Sequence, residues 1–425
     1  MIHKTKALVF SQINQEETHL KKFLVVISLL LIIASITVSC TSEKSTSTAN
    51  AKTLTIGEIE PLTGMFGDIF KYVPQGAQLA KDYINNHGGI TIGGQKYVID
   101  IVVRDGKDSP EGATAAANEL VYDKGVKFIA GTGPAFMVPA IDTVTEPAGV
   151  LYTAVYQNGM KVEMGPNYPL KFVGSPCSFS GQVATLTYLK EKYPSVKTVA
   201  FILIDDGQIA DNDPVVRATA TKLGLSIVGD TVGYAPSTQD FTPVAQKAVA
   251  LNADAIMIGN AISPWFGLTL KAIRGLGYTK PIFSCCDAIV LPDIAGIAGS
   301  DAEGFFGASI PSDPNIPDLP QIAKDVIKMA SDQGWQLNSM HVQGFSAVYS
   351  LIMAIKAANS LDPKVVAAKW EKMDKIDTIF GAGRMGGLQT YGVNHNVYYK
   401  TPISIIENGK VVFKEWISLD KSLMP

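Results

Sequence analysis

From Thr53 onward the chain alternates short β-branched runs with helical stretches, and it does so in two successive series. The first series holds strand-like "LTIGEIE" (54–60), "KYVIDIVVRDG" (96–106), "VKFIAGTG" (126–133) and "GVLYTAVY" (149–156). Between them lie helical segments over 75–89, 111–125 and "MVPAIDTVTEPA"; in the first, Leu79, Ala80, Tyr83 and Ile84 share one face and a glycine pair ends the run. The second series repeats the scheme, with strands over 196–206, 225–232, 254–261 and 280–287 and helices over 181–195, 213–224, 241–253 and 264–278. Strands separated by whole helices cannot pair as hairpins, because each return needs a crossover. The sheets are therefore parallel and covered on both faces. The expected fold is α/β: two doubly wound Rossmann-like lobes joined by a multi-crossover hinge, with a ligand cleft between them.

After Ile310 come Pro311, Pro314, Pro317 and Pro320, then helical stretches over 321–331, 339–359 and 363–373. The tail "YYKTPISIIENGKVVFKEW" (398–416) reads as a hairpin turning at Asn408-Gly409. These elements must cover faces left open by the two series. Lobe 1 is expected over 53–172 plus about 311–390, and lobe 2 over 173–310 plus about 391–425.

The first 52 residues are of another kind. Lys21 and Lys22 precede the apolar run "FLVVISLLLIIASITV", which ends at Ser39 and Cys40. Its 16 residues fall short of the ~20 that a spanning helix needs, and a charged flank, apolar core and small residues describe an export signal. Residues 1–39 are read as that signal or leader. Cys40 is the candidate lipidated N-terminus, and 40–52, with its small polar "TSEKSTSTANAK", is a flexible tether. The export motif is loose, since Thr37 stands three residues before the cysteine, so an uncleaved anchor is the alternative. Either reading puts the body outside the cytoplasmic membrane, held to it at the N-terminus.

Charge and motif exclude several classes. A net charge of −3, with 18% charged residues and no basic stripe, offers no electrostatic preference for nucleic acid. "GFSAV" (344–348) lacks the final glycine of a nucleophile elbow and lies in a helical stretch. There is no phosphate-binding P-loop. "GTGPAF" (131–136) puts Phe136 where a dinucleotide fingerprint needs a third glycine. His87, His341 and His395 are not at helix-ligand spacing and no C-x-x-C pair exists, so neither a metal nor a cofactor is expected. His87 reads as a helix-end residue and His341 as structural. What remains is a small-molecule pocket, lined by loops at the carboxyl ends of parallel strands.

"LTIGEIEPLTG" with "GAQLAKDYINNHGGI", "VVRDGKDSPEGATAAANELV" and "GFSAVYSLIMAIKAANSLDPKVVAAKW" together resemble the branched-chain amino-acid type of periplasmic binding protein. The resemblance spans about 53–416. It implies a monomeric, non-enzymatic solute receptor that closes around a small ligand and serves the permease subunits of an ABC importer. By position it implies ligand-binding roles for Gly133, Ala135 and Phe136, for Tyr156, Gln157 and Asn158, for Ile209 and Ala261, and for Asp287 as the carboxylate that holds an amino group. Phe66 adds an aromatic wall. The loop 133–137 lacks the hydroxyls that the family places against a ligand carboxylate, so half of the amino-acid clamp is altered. An amino acid or related small amine is favoured, with an amide or an aromatic or aliphatic carboxylate as the alternative. Ile209 and Ala261 stand where the family has rings.

"IFSCCDAIV" (282–290) raises a separate question. With Cys40 lipidated, Cys177, Cys285 and Cys286 remain, an odd number in an oxidising compartment. A buried free pair, a disulfide from Cys177 to either neighbour, and a soft-metal site are the alternatives, the first favoured. Replacing Cys40 by Ala is expected to release the protein from membranes. Fractionation that still finds it in the membrane pellet would point to an uncleaved anchor.

Overall fold

The computed structural model describes residues 51–155, 164–176, 178–205, 207, 209–259, 261, 263–287, 291–420 and 422–423, the side chains of 178, 211, 263, 285–287 and 291–292 excepted. Two sheets carry the fold. The first contains β1 (Lys52–Glu60), β2 (Ile90–Ile92), β3 (Gln95–Asp105), β4 (Phe128–Gly131), β5 (Leu151–Ala154) and β6 (Lys171–Val173), with β13 (Ile376–Thr378), β14 (Gly381–Gly386) and β15 (Asn396–Tyr399) returning late in the chain. Its order is β13-β14-β15-β6-β5-β4-β1-β3-β2. The second holds β7 (Thr198–Ile204), β8 (Ser226–Ile227), β9 (Val232–Tyr234), β10 (Ala255–Ile258), β11 (Ile282–Asp287), β12 (Phe306–Ala308), β16 (Thr401–Glu407) and β17 (Lys410–Ile417). Its order is β17-β16-β12-β11-β10-β7-β8, with β9 also on β7.

β1 is the axis of the first sheet. It runs parallel to β3 from Lys52↔Tyr97 to Glu60↔Asp105, and to β4 from Gly57↔Ile129 to Ile59↔Gly131. Alternation sends Leu54 and Ile56 to one face and Ile59 to the other. The first face packs under α1 (Tyr72–Asn86) and, from the C-terminal region, α9 (Gln321–Asp332), α10 (Ser339–Ala358) and α11 (Pro363–Trp370). The second packs under α2 (Pro110–Asn118) and α3 (Val138–Ala148). α10 is buried almost throughout and meets α1 through two glycines: a Cβ on Gly76 would stand 2.0 Å from the His341 carbonyl oxygen, and one on Gly344 2.0 Å from that of Val73. Only hydrogen at those positions lets the two backbones come so close.

The second sheet shows the same logic. Ala200, Ile202 and Ile204 of β7 enter one core and Val199, Phe201 and Leu203 the other. α4 (Ser178–Lys192), α5 (Ile209–Lys222), α6 (Thr242–Ala250), α7 (Ser263–Gly275) and α8 (Leu291–Ala298) supply its cover. The expected single strand over 225–232 is instead β8 and β9, because Gly229, at φ +67°, turns the chain between them. The C-terminal hairpin is present, with Asn408 and Gly409 both at positive φ in its two-residue turn.

The chain passes between the sheets three times: after β6, after β12, and between β15 and β16. The last return to the first sheet reaches Tyr399, beyond the boundary expected near residue 390. Hydroxyls tie these crossings together. The Gly174 amide donates to Thr153 Oγ1 at 2.8 Å, and the Ser350 hydroxyl of α10 reaches the Gly174 carbonyl at 2.5 Å. Ser309 and Ser404, which follow β12 and lie in β16, bond through their hydroxyls at 2.8 Å. Among the described residues no helix is long and apolar enough to cross a membrane.

Among the described residues one charged pair is sealed inside. Lys171 Nζ lies 2.9 Å from both carboxylate oxygens of Asp142 and 4.2 Å from the centre of the Tyr152 ring. Burial lifts the Asp142 carboxyl above its ordinary range even with Lys171 against it. Removing one partner of such a pair strands the other, so Asp142→Ala should cost about 3–5 kcal/mol. Urea unfolding of the variant checks this; a loss below about 1 kcal/mol, as for an exposed pair, would mean the charge has access to water.

Candidate functional site

An open parallel sheet binds ligands outside the carboxyl ends of its strands, where the strand order reverses. In the first sheet this switch point lies between β1 and β4, because β3 sits on the other side of β1; in the second it lies between β7 and β10. The loops following β1, β3 and β4 therefore define the first half of the candidate site.

Two aspartates shape the loop after β1. Asp105, the last residue of β3, accepts from the Leu62 amide at 3.0 Å, the Thr63 amide at 3.3 Å, the Thr63 hydroxyl at 2.7 Å and the Lys107 amide at 2.8 Å. Asp108 Oδ2 accepts from the Met65 amide at 2.9 Å and the Phe66 amide at 3.4 Å. Gly64, at φ +98°, lets Asp108 in: a Cβ there would lie 2.5 Å from Asp108 Cβ. The clamp presents Phe66 to two other rings, at 6.1 Å from Phe70 and 6.4 Å from Phe136. Met65 is 71% exposed and Phe136 44%, so apolar surface is open at this end of the sheet.

The loop after β4 is held from beneath by β1. Glu60 Oε1 accepts from the Thr132 amide at 2.5 Å and Oε2 from the Gly133 amide at 3.0 Å, while the Thr132 hydroxyl donates to the Ile59 carbonyl at 2.9 Å. Gly133 is pressed against Phe70, where no side chain would fit. Glu58, two residues before Glu60 and on the same face, is buried, and neither of its carboxylate oxygens has a partner among the described residues. Burial pushes the Glu58 carboxyl up to about 8. Glu60 is also raised, by burial and by Glu58, against the pull of the two amides. Two acidic residues on the inner face of a central strand are the signal that reading the strand only for its apolar residues overlooks.

The expected ligand residues of the first sheet gather here. Phe66, Gly133, Ala135 and Phe136 all lie at the β1/β4 switch point, Ala135 and Phe136 in a short 3-10 turn (Ala135–Met137). In the second sheet, Ile209 opens α5 and packs near Gly233 of β9, and Ala261 follows β10 with its side chain buried in the core. Asp287 ends β11, its backbone paired with Ala308 of β12 after a register shift. Tyr156, Gln157, Asn158, Cys40 and Cys177 lie outside the described residues, as do the side chains of Cys285, Cys286 and Asp287.

The three body histidines have structural work. His87 caps α1, its Nδ1 2.7 Å from the Tyr83 carbonyl oxygen. His341 forms a capping box with Asn338, its Nε2 2.8 Å from Gln75 Oε1. His395 stacks on Phe172 with ring centres 4.0 Å apart. Burial lowers the last two to about 4, so both are neutral near pH 7. Among the described residues no group of three or more His, Cys, Asp and Glu could hold a metal ion. Beside the chain crossing after β6, Ser175, Ser346, Ser350 and Thr378 border a small crevice with room for little more than a water molecule.

The family model for periplasmic binding proteins matches residues 53–400, nearly all of the two-sheet body. The chain belongs to the periplasmic binding protein family. A relative from Brucella suis, a Leu/Ile/Val-binding protein homolog, is 26% identical over 330 residues, covering 76% of this chain and 83% of its own. Two solved structures share the fold. A solute-binding protein of an ABC transporter from Rhodopseudomonas palustris in complex with p-hydroxybenzoic acid has TM-score 0.70 at 19% identity, covering 88% of this chain and 98% of its own. The branched-chain amino-acid substrate-binding protein LivJ from Streptococcus pneumoniae, in complex with isoleucine, has TM-score 0.66 at 18% identity, covering 87% and 100%.

The Asp105 clamp yields a pH prediction. Burial pushes its carboxyl up, but the Thr63 hydroxyl and the Lys107, Leu62 and Thr63 amides more than reverse this and hold it below its ordinary 3.8. A depressed carboxylate stabilises the fold above its unfolded value, and that contribution is lost as pH falls through the folded value. Asp105→Asn keeps the amide-accepting oxygen and removes the charge. The variant should therefore be less stable than wild type at neutral pH, the gap closing below about pH 3.8; urea midpoints measured across pH test it.

Proposed function

We propose that the protein is an extracytoplasmic solute-binding receptor, held to the membrane by a lipid on Cys40. It captures a small organic ligand between the strand ends of its two sheets and delivers it to the permease of an ABC importer. The observation that carries this reading is the combination of three chain crossings with a switch point at the end of each sheet. Such a linkage lets two lobes rotate about short connections and close on a ligand, and a permease that engages only the closed form then draws on that population shift. Export as a monomer, and binding in place of catalysis, are part of the same reading.

An amino acid or related small amine is the favoured ligand. The first sheet offers an apolar wall of Phe66 and Phe136 for a branched or aromatic side chain. The second brings Asp287 to the end of β11, where a carboxylate would make charge-assisted bonds worth roughly 1.5–3 kcal/mol each to an ammonium group. The neighbouring Cys285 and Cys286 are read as a free, packed pair, and mass spectrometry with and without reductant distinguishes this from a bridge to Cys177.

A thermal-shift screen of amino acids, amines, amides and aromatic acids tests the function. A ligand at ~100 times its dissociation constant stabilises the folded state by ~2.7 kcal/mol. Asp287→Ala should abolish the shift given by an amine; unchanged affinity would remove Asp287 from the site. Turnover of a bound compound would replace this reading with an exported enzyme, and a genomic neighbour encoding a kinase in place of a permease and ATPase would replace it with a sensor.

A further inference from the structure

We propose that Glu60 determines ligand class: its side chain stands where a ligand's own carboxylate would bind, so the first sheet selects ligands that bring no anionic group to the end of β4. Main-chain N–H groups at a switch point are what a parallel sheet offers to an anion. Here the first donors after β4 are committed within the protein. Thr132 and Gly133 give their amides to the two oxygens of Glu60. The Thr132 hydroxyl gives its hydrogen to Ile59. Pro134 has no N–H.

The arrangement is built, not incidental. Gly131, at φ +106°, makes room for both carboxyl groups: a Cβ there would lie 2.9 Å from Glu58 Cγ and 3.0 Å from Glu60 Oε1. Glu58 and Glu60 are 1% and 0% exposed. A carboxylate approaching these two amides would have to displace Glu60, leaving a buried acid without partners beside Glu58. An ammonium, guanidinium or uncharged amide meets no such obstacle. The raised Glu58 carboxyl, protonated near pH 7, keeps the pair from carrying two charges.

The choice of ligand probes rests on the solute-binding reading, and within its class of amino acids and small amines Glu60 favours the amines without a carboxylate; the occupation of the two amides does not rest on it. Two experiments separate them. In the full-length, isotope-labelled protein, acetate should leave the Thr132 and Gly133 amide resonances unmoved. In Glu60→Gln, which loses one acceptor oxygen, at least one of these amides should shift on substitution and move further with acetate. Acetate-dependent shifts of these amides in the wild type, or no change on substitution, would overturn the proposal.

Matched probes then test selection: leucinamide against leucine, and benzylamine against benzoate. The carboxylate-free member of a pair should bind wild type at least tenfold more tightly, and Glu60→Gln should narrow that ratio. Tighter binding of leucine or benzoate by wild type would uphold the solute receptor and overturn the role of Glu60. Failure of all four probes would count against the ligand class assigned under the function, and the acetate result would still decide the place of Glu60.

Discussion

Burial of the second half of β1 on both edges and both faces is the constraint on which the rest of the molecule depends. β3 runs along one side of the whole strand and β4 flanks Gly57–Ile59 on the other, so main-chain groups there are paired on both edges. Polar side chains are then tolerable only near the carboxyl end, where loops supply amides to meet them. Glu60 satisfies this condition through Thr132 and Gly133, and Glu58, one step deeper, does so only by taking up a proton. Three loops far apart in sequence are thereby fixed to one strand and to each other.

That geometry also sorts the polar groups by task. Asp105 and Asp108 organise the backbone of residues 62–66 and so aim Phe66. Glu60 does the same for the turn that carries Phe136. None of these acids needs to touch a ligand to govern where the aromatic surface lies. The half-site is an apolar wall whose curvature is set by carboxylates behind it.

Much of the fold was legible because strand and helix periods differ so strongly over the long elements. β1, β3, β7 and the helices over residues 72–86 and 339–358 announce themselves in apolar spacing. The three-residue strands β2, β6, β12 and β13 do not, since a run that short carries no period, and their pairing is decided by neighbours. The positions of Phe66, Gly133 and Phe136 at one strand end could be inferred from topology. The acids behind them could not be assigned the same way: Glu60 and Gly133 are 73 residues apart, and their meeting depends on the register of β1 with β4 and on the positive φ of Gly131. Glu58 and Glu60 alternate with Ile59 in "GEIE", and a charge on the inner face of a central parallel strand is itself a cue.

The third chain crossing is a single residue. Tyr399 closes a strand of the first sheet and Thr401 opens one of the second, with only Lys400 between them. Consecutive Cα atoms are ~3.8 Å apart, so the two sheets are leashed at that point to within about twice this length. Lys400 is itself seated, its ammonium 4.1 Å from the centre of the Trp416 ring. Sliding of one sheet past the other is therefore forbidden there while pivoting is not, and the axis of any large motion has to pass near Lys400. Strand ends far from this fulcrum sweep the longest arcs, and inserting even a few residues after Tyr399 would turn a pivot into a loose tether.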